Sequence, residues 1–381
     1  MRLLSHPPCS TINPRYHGRG ADLDSDSAGL APLSTGRIGR ATSKNGLVWE
    51  KCLKGSNSEV EGYTGVALGL NKESWWGFDT AHVGLGQVML PMSTPAVMAE
   101  GGVYLMYYMG GSHEETPIAS YVDDPDSVPD GATIKGMNLK IGVAISQDGM
   151  TWGRVEGDDP ANACMAPYDA SDPNTRAMAS LRDEDDSLIK LEEELYCGWP
   201  EVVVAAFEGE EGAVASGIFS SKSKKPPAFF MYYSTMLKDT KEKAIACAVS
   251  EDGFAWSKRG VSLRPDGDDG LDAGGCARCA VSRAATYDEE KGIWKTADGF
   301  VMYYEGVSKE DGKHRIMAAE SKDGRNWNKL GMVLDVGEGE DSWDCNGVGS
   351  PHMLRFVNSF RLFLSSVFIS VALLSYLLTH T

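Results

Sequence analysis

The sequence predicts an all-β protein, a five-bladed β-propeller whose first and last blades are incomplete. Three observations favour this fold. A seven-residue motif ending in tryptophan occurs four times, a strand with two adjacent tyrosines precedes three of the copies, and a short run that opens with a turn lies further upstream. Such self-similarity is the signature of a repeat architecture, and each complete unit contains the four strands of a propeller blade.

The motif reads Ser, any residue, Asp or Asn, Gly, two variable residues and Trp. Asn-Gly and Asp-Gly supply the positive φ angles that tight hairpin turns require. An alternating strand precedes each copy, and the tryptophan returns on the next strand, where we expect it to pack one blade against its neighbour. The copies are Ser43–Trp49, Ser146–Trp152, Ser250–Trp256 and Ser321–Trp327.

The tyrosine strands and the upstream runs complete each unit. The aromatic strands are Tyr104–Gly110, Phe229–Ser234 and Phe300–Gly306, with Tyr16–Gly18 as the remnant of a fourth. A polar insertion, Ser112–Met137, follows the first of them. The upstream runs, which we interpret as inner strands, are Ser93–Met98, Gly198–Val204, Ala277–Val281 and Gly349–Leu354.

These patterns divide the chain into three parts. Residues 1–14 form an unstructured or wrongly assigned leader, 15–356 the propeller and 357–381 a hydrophobic tail. Complete blades are predicted at about 88–155, 195–260 and 275–332. The partial blades are 15–53, which lacks an inner strand, and 343–356, which has an inner strand only.

The tail contains no charged residue between Leu362 and Leu378, just short of the roughly 20 apolar residues of a membrane-spanning helix. It is interpreted as a membrane anchor or as a non-native ending. We favour the second, because the apolar stretch begins in the middle of a blade.

The formal net charge of −18 argues against a nucleic-acid partner, because binding to phosphates relies on clustered Lys and Arg. Cys276 and Cys279 are the one closely spaced cysteine pair, whereas a structural zinc site of this type needs two pairs. No Asn-x-Ser/Thr motif occurs, and Met1–Ser10 lacks the apolar run of a signal peptide. We therefore predict a plastid or cytoplasmic protein rather than a secreted one, with membrane association only through residues 360–378.

Over Tyr16–Phe356 the repeat resembles the five-bladed propellers of the arabinanase, levansucrase and invertase superfamily, and most closely the family 43 glycoside hydrolases. The Ser-x-Asp-Gly-x-x-Trp turn and the Tyr-Tyr strand carry this resemblance. Both motifs identify the superfamily better than the substrate. The resemblance implies hydrolysis of O-glycosyl bonds by a carboxylic acid and a carboxylate around the central channel.

The resemblance places the general acid at Glu201, at the head of an inner strand. The apolar run that follows Glu201 is expected to raise its pKa. Asp79 is the candidate for the auxiliary carboxylate, and Asp344 stands in the same relation to the fifth unit. Substrate-binding candidates are Trp76, which could stack on a sugar ring, together with His82, Asp272, Arg278 and His352.

In the family, the catalytic base lies on the inner strand of the first blade. The strands predicted for this chain do not include that inner strand. The leading interpretation is thus a glycoside hydrolase-like propeller, inactive if truncated, acting on a plant-type or microbial polysaccharide or oligosaccharide. Alternatives are a non-catalytic carbohydrate-binding or interaction propeller and a glycoside phosphorylase, for which Arg278 and Arg283 are the inner-strand arginines. No cofactor is expected to be required, although the resemblance leaves room for a structural calcium ion in the channel.

Overall fold

The computed structural model describes residues 15–19, 36–43, 48–51, 65–89, 103–122, 124–177, 191–204, 229–288, 293–339, 341–356 and 359–366. Over these residues the protein is almost entirely β, and small antiparallel sheets form a propeller, which confirms the predicted fold class. The helices in this part of the chain are short. They are α1 (Pro173–Ala177) and two 3-10 helices, Ile118–Tyr121 and Pro125–Ser127.

Four sheets have four strands each and are called blades I to IV. Blade I contains β1 (Arg15–Arg19), β2 (Gly36–Thr42), β3 (Glu50–Lys51) and β4 (Val66–Leu68). Blade II contains β5 (His82–Met89), β6 (Tyr104–Gly111), β9 (Leu139–Ser146) and β10 (Gly153–Val155), and its insertion carries the hairpin β7 (Glu115–Pro117) and β8 (Thr133–Lys135).

Blades III and IV follow the same antiparallel order, from the inner strand to the outer strand. Blade III contains β11 (Glu194–Val204), β12 (Phe229–Leu237), β13 (Lys243–Ser250) and β14 (Ser257–Leu263). Blade IV contains β15 (Gly275–Asp288), β16 (Ile293–Val307), β17 (His314–Ser321) and β18 (Asn328–Leu334). A fifth unit has two strands, β19 (Val348–Phe356) and β20 (Ser359–Ser366).

Several predicted boundaries change. The inner strand of blade II is His82–Met89, whereas the predicted run Ser93–Met98 lies outside the described residues. Blade I extends to Leu68, because both β3 and β4 pair with the same edge of β2. No described strand of blade I occupies the inner position, beside β1.

The fifth unit also extends further than predicted. Ser359–Ser366 pairs with β19, so the propeller passes residue 356 and part of the predicted tail is a strand. The leader 1–14 and residues 367–381 lie outside the described residues. Along the described ranges, we find no helix with the length and hydrophobicity needed to cross a membrane.

The geometry of the repeated turn explains its sequence. In blades II, III and IV the serine Oγ accepts a hydrogen bond from the glycine N–H at 2.8 Å. The aspartate Oδ1 accepts from the two N–H groups that follow the glycine, at 2.7 to 2.9 Å. The three glycines have φ of 67, 84 and 75°, a region that favours glycine.

The same turn joins neighbouring blades. The Tyr107 hydroxyl of blade II donates to the Gly253 carbonyl of blade III at 3.0 Å, and the Trp256 ring lies 5.7 Å from the Tyr107 ring. Tyr232 and Trp327 repeat this arrangement between blades III and IV, with a ring separation of 5.5 Å. Each of these tryptophans stands immediately before an outer strand, so the predicted packing of one blade against the next is confirmed.

The second tyrosine of each pair belongs to a buried contact that we call the acid–tyrosine–cation clamp. In it, an acid at the start of the inner strand, or three residues before it, accepts from the tyrosine hydroxyl at 2.8 to 3.0 Å and from a cation on the outer strand at 2.5 to 2.6 Å. The cation always stands two residues after the tryptophan. The clamps are Asp79–Tyr108–Arg154, Glu194–Tyr233–Lys258 and Asp272–Tyr304–Lys329.

Replacing Arg154 with Met should lower the free energy of unfolding by about 3 kcal/mol, because the Asp79 carboxylate would stay buried without its cation. Urea denaturation measured by tryptophan fluorescence gives this quantity. Lys309→Met is the control, since Lys309 pairs with Asp268 at the exposed surface and its loss should leave stability nearly unchanged. Equal losses for the two variants would show that the clamp does not stabilise the blade.

Candidate functional site

The four inner strands share an irregularity at the same point in their registers. The regular pairing with the second strand breaks at Gly86, at Trp199–Pro200, at Arg278 and at Ser350–Pro351. A β-bulge of this kind redirects the side chains beside it, and bulges are common next to active sites. Trp199 and Ser350 also have φ of 50°, a strained value for residues other than glycine. The candidate site is therefore the region around these bulges, where neighbouring inner strands contact one another.

Glu201 follows the bulge of blade III and is 7% exposed. The Gln87 side chain of blade II binds this segment twice. Its Nε2 donates to Glu201 Oε1 at 3.3 Å, and its Oε1 accepts from the Val202 N–H at 2.6 Å. Burial raises the pKa of Glu201 from 4.5 to about 8, although a hydrogen bond from the Val281 N–H of blade IV opposes this rise. A raised pKa favours the protonated form, which a general acid requires.

Arg278 occupies the bulge of blade IV and contacts both neighbouring units. Its guanidinium carbon lies 4.9 Å from the Trp199 ring centroid of blade III, a cation–π distance. Its Nη1 donates to the Ser350 hydroxyl of the fifth unit at 2.8 Å and lies 3.6 Å from Glu305 Oε1. The side chain is 24% exposed, so solvent still reaches this cation.

Glu305 is a residue that sequence reasoning missed. It is fully buried, it also accepts from the Ser350 N–H, and its Oε2 lies 2.8 Å from His314 Nδ1. Burial would raise the pKa of Glu305, but Arg278, His314 and the Ser350 N–H together lower it. Glu305 is thus an ionised anchor for Arg278. Its sequence signal was a charged residue immediately after the Tyr-Tyr pair, inside a buried strand.

The polar insertion follows the strand that pairs with the inner strand of blade II. The first residue of the inner strand β5, His82, pairs with Gly111 at the end of β6, where the insertion begins. Tyr121 of the insertion and Arg278 both lie close enough to Tyr196 to influence the pKa of its hydroxyl, which burial raises. The Tyr196 ring packs edge-on against Trp199 at 6.2 Å. Tyr121, Tyr196, Trp199 and Arg278 therefore form one cluster beside the strand that carries Glu201.

The structure does not join Asp79 and Asp272 to Glu201. Both carboxylates belong to clamps within their own blades and are at most 1% exposed. The expected auxiliary role of Asp79 and the expected sugar contact of Asp272 thus gain no support from this geometry. Asp344 precedes β19 and accepts from the Ser342 hydroxyl at 2.5 Å.

The remaining candidates are dispersed. His82 is buried, and its Nδ1 accepts from the Gly36 N–H of blade I at 3.0 Å, so it joins two blades. Trp76 is 50% exposed and packs edge-on against Trp75. His352 is exposed and is the first paired residue after the bulge of β19, as Gln87 and Glu201 are in their strands. Of the candidates, Glu201 and Arg278 show the clearest contacts across the inner strands.

Neither a metal site nor a phosphate site gains support. Among the described residues, no group of three or more His, Cys, Asp and Glu side chains could hold a metal ion, so the calcium ion stays a prediction. Arg283, the second arginine considered for a phosphorylase, lies with its guanidinium carbon 5.7 Å from the Phe300 ring centroid. Phe300 pairs with Arg283, five residues along β15 from the bulge at Arg278.

No protein-family model matches the sequence, and no similar curated protein was found. Solved structures share its fold. A candidate glycoside hydrolase from Parabacteroides distasonis is 12% identical, with 95% of this chain and 82% of that chain covered and a TM-score of 0.51. Another from Bacteroides ovatus is 14% identical, with 94% and 80% covered and a TM-score of 0.50. The chain thus has the fold of glycoside hydrolase-like propellers, and at this identity the likeness shows the fold alone.

Gly86→Ala tests the close contact that positions Glu201. A β-carbon on Gly86 would lie 2.4 Å from the Pro200 carbonyl oxygen, so the inner strands of blades II and III must separate. The free energy of unfolding should fall by about 1 to 3 kcal/mol in urea denaturation. Gly153→Ala is the control, because a β-carbon there meets no atom within 4 Å. Similar stabilities of the two variants would contradict the close packing of these strands.

The raised pKa of Glu201 predicts a pH-dependent stability. Its folded pKa of about 8 exceeds the ordinary value of 4.5, so the unfolded chain releases a proton that the folded protein retains. The resulting contribution is fully present below about pH 4.5 and is lost as the pH rises through about 8. The free energy of unfolding should therefore fall more steeply between about pH 5 and pH 8 in the wild type than in Glu201→Gln. Parallel profiles would show that Glu201 is not desolvated.

Proposed function

We propose that this protein is a glycoside hydrolase-type propeller in which Glu201 donates a proton to the glycosidic oxygen of a polysaccharide or oligosaccharide. The observation that supports this most directly is the Glu201 carboxyl group, buried where three inner strands meet and with its pKa raised by that burial. Glycosidases need such a protonated acid to assist departure of the leaving group. The structural neighbours described as candidate glycoside hydrolases support the same choice of reaction.

The surrounding residues have roles that follow from their contacts. Gln87 fixes the orientation of the Glu201 carboxyl through their hydrogen bond. Arg278, held by Glu305 and Ser350, presents its remaining N–H donors to sugar hydroxyls. Tyr196 and Tyr121, both partly buried beside Arg278, provide aromatic rings that suit the apolar face of a sugar.

A second candidate function is carbohydrate binding without hydrolysis. It is favoured by the state of the other carboxylates, since Asp79 and Asp272 belong to clamps and Glu305 is paired with Arg278. The family's base would lie on an inner strand of blade I, and no such strand occurs among the described residues. A site with an acid and no base would bind the sugar and leave the bond intact.

Both functions concern a carbohydrate partner. The identity of the sugar, the intracellular location and any membrane association through residues 360–378 stay predictions. Association with nucleic acid is not expected for a chain with a net charge of −18.

Glu201→Gln separates the two candidates. On plant and microbial polysaccharides and oligosaccharides, the wild-type chain should release reducing sugar, and the variant should lose at least about 100-fold of that rate because an amide cannot donate the proton. Its affinity for the same sugar, measured by calorimetry, should stay within about threefold, since the amide keeps the shape of the acid. Glu251→Gln, at an exposed position in the turn of blade III, is the control.

Each outcome has a definite meaning. Turnover that survives Glu201→Gln would remove Glu201 from the mechanism. Binding by the wild type without turnover would establish the second candidate function. The absence of both binding and turnover across the panel would overturn both candidates.

A further inference from the structure

The clamp of blade III contains a thiol as well as its acid, tyrosine and cation. Lys258 Nζ donates to Cys197 Sγ at 3.2 Å, in addition to Glu194 Oε2 at 2.5 Å and the Tyr233 oxygen at 3.0 Å. Lys258 is 1% exposed and Cys197 is fully buried. An amine nitrogen and a thiol sulfur are therefore held in contact inside a dry site.

The clamp itself does not require this sulfur. Cys197 pairs with Thr235, two residues after the Tyr-Tyr pair of blade III. The residue at the equivalent position in blade II is Val83, although that blade has a clamp of its own with Arg154 as the cation. Cys276 holds that register in blade IV, but its thiol contacts Asp272 Oδ2 at 3.5 Å. Among the described contacts, the direct lysine–cysteine hydrogen bond occurs only in blade III.

We propose that Lys258 and Cys197 form an oxidative N–O–S bridge in the presence of dioxygen. Burial would lower the pKa of Lys258, but Cys197 and Glu194 raise it overall, so the ammonium is the resting form. Glu194 is the group positioned to take one proton from it, which leaves a neutral amine beside the thiol for the reaction. One oxygen atom is then inserted between Nζ and Sγ, and the amine and the thiol each lose one hydrogen. The balance is amine plus thiol plus O2 gives the bridge plus one water, so the second oxygen atom leaves as water.

The surroundings favour this product over ordinary thiol oxidation. Burial raises the pKa of Cys197, with Glu194 raising it further, so little thiolate is available. The usual path through sulfenic and sulfinic acids begins from an accessible thiolate. Because the amine contacts the sulfur directly, oxidation of this thiol can instead end in the N–O–S bridge.

The bridge would tie the inner strand β11 to the outer strand β14 by a covalent bond. Cys197 precedes Trp199 and Glu201 on the same strand. A reducible link at this position would thus stiffen the strand that carries the candidate site, whatever reaction occurs there.

Peptide mapping by mass spectrometry tests the proposal. The full chain is held in air or kept anaerobic with dithiothreitol, then denatured, alkylated and digested. In air we expect a peptide pair joining Cys197 to Lys258 with a mass increase of about 14 units, one oxygen gained and two hydrogens lost, and we expect dithiothreitol to abolish it.

Variants that borrow residues from the other blades serve as controls. Cys197→Val and Lys258→Arg reproduce residues that blade II uses at these positions, and each should abolish the linked pair. Cys276→Val should retain it. Circular dichroism confirms that each variant is folded, and Cys197→Val keeps the test valid if Lys258→Arg does not fold.

Three results would overturn the proposal. These are the absence of the linked pair from the aerated protein, a gain of about 16 or 32 units on Cys197 instead of the bridge, and an equal yield of a bridge between Cys276 and Lys329. The last would show that the Lys258–Cys197 contact is not what directs the oxidation.

Discussion

A buried carboxylate held between a tyrosine and a cation is the contact on which each regular blade depends. It joins the inner, second and outer strands, the three that must keep their order for a sheet to serve as a blade. A buried ion pair is not by itself a strong source of stability, because desolvation offsets much of the Coulomb attraction. The pair does, however, destabilise any strand order that would separate the buried acid from its cation. The clamp therefore favours a single strand order. The clamp occurs as Asp with Arg, Glu with Lys and Asp with Lys, so the chemistry is retained while the residues vary.

The clamp also clarifies the site, because it accounts for acids that would otherwise be counted as catalytic. Asp272 and Glu201 are both buried carboxyl groups, yet their pKa values shift in opposite directions. Burial would raise the pKa of Asp272, but Lys329, the Asp266 N–H and Tyr304 lower it overall. Among the described residues no cation contacts Glu201, and its pKa is raised to about 8. Environment, rather than residue type, thus separates the clamp acid Asp272 from the candidate proton donor Glu201.

The bulges of the inner strands have the complementary role. Regular pairing would alternate side chains between the two faces of a blade, whereas the bulges redirect Trp199 and Arg278 toward each other across a blade boundary. Glu305 and Ser350 then hold Arg278 from the other side. The candidate site is accordingly formed by contacts between residues of different blades.

The sequence by itself determined the repeat and the all-β fold, because turns and alternating strands are encoded in local residue patterns. The role of Glu201 came from the family resemblance and stays a prediction. The Ser-Asp-Gly turn needs only neighbours within a few residues, and it was predicted with its tryptophan packing. Only the tertiary structure decided that Asp79 and Asp272 are clamp acids, since their cations stand 75 and 57 residues away. It likewise revealed the Gln87 contact with Glu201, the Glu305 anchor and the pairing of Ser359–Ser366, which depend on strands brought together by folding. The environment of a carboxyl group sets its pKa, and that environment exists only once the blades have assembled.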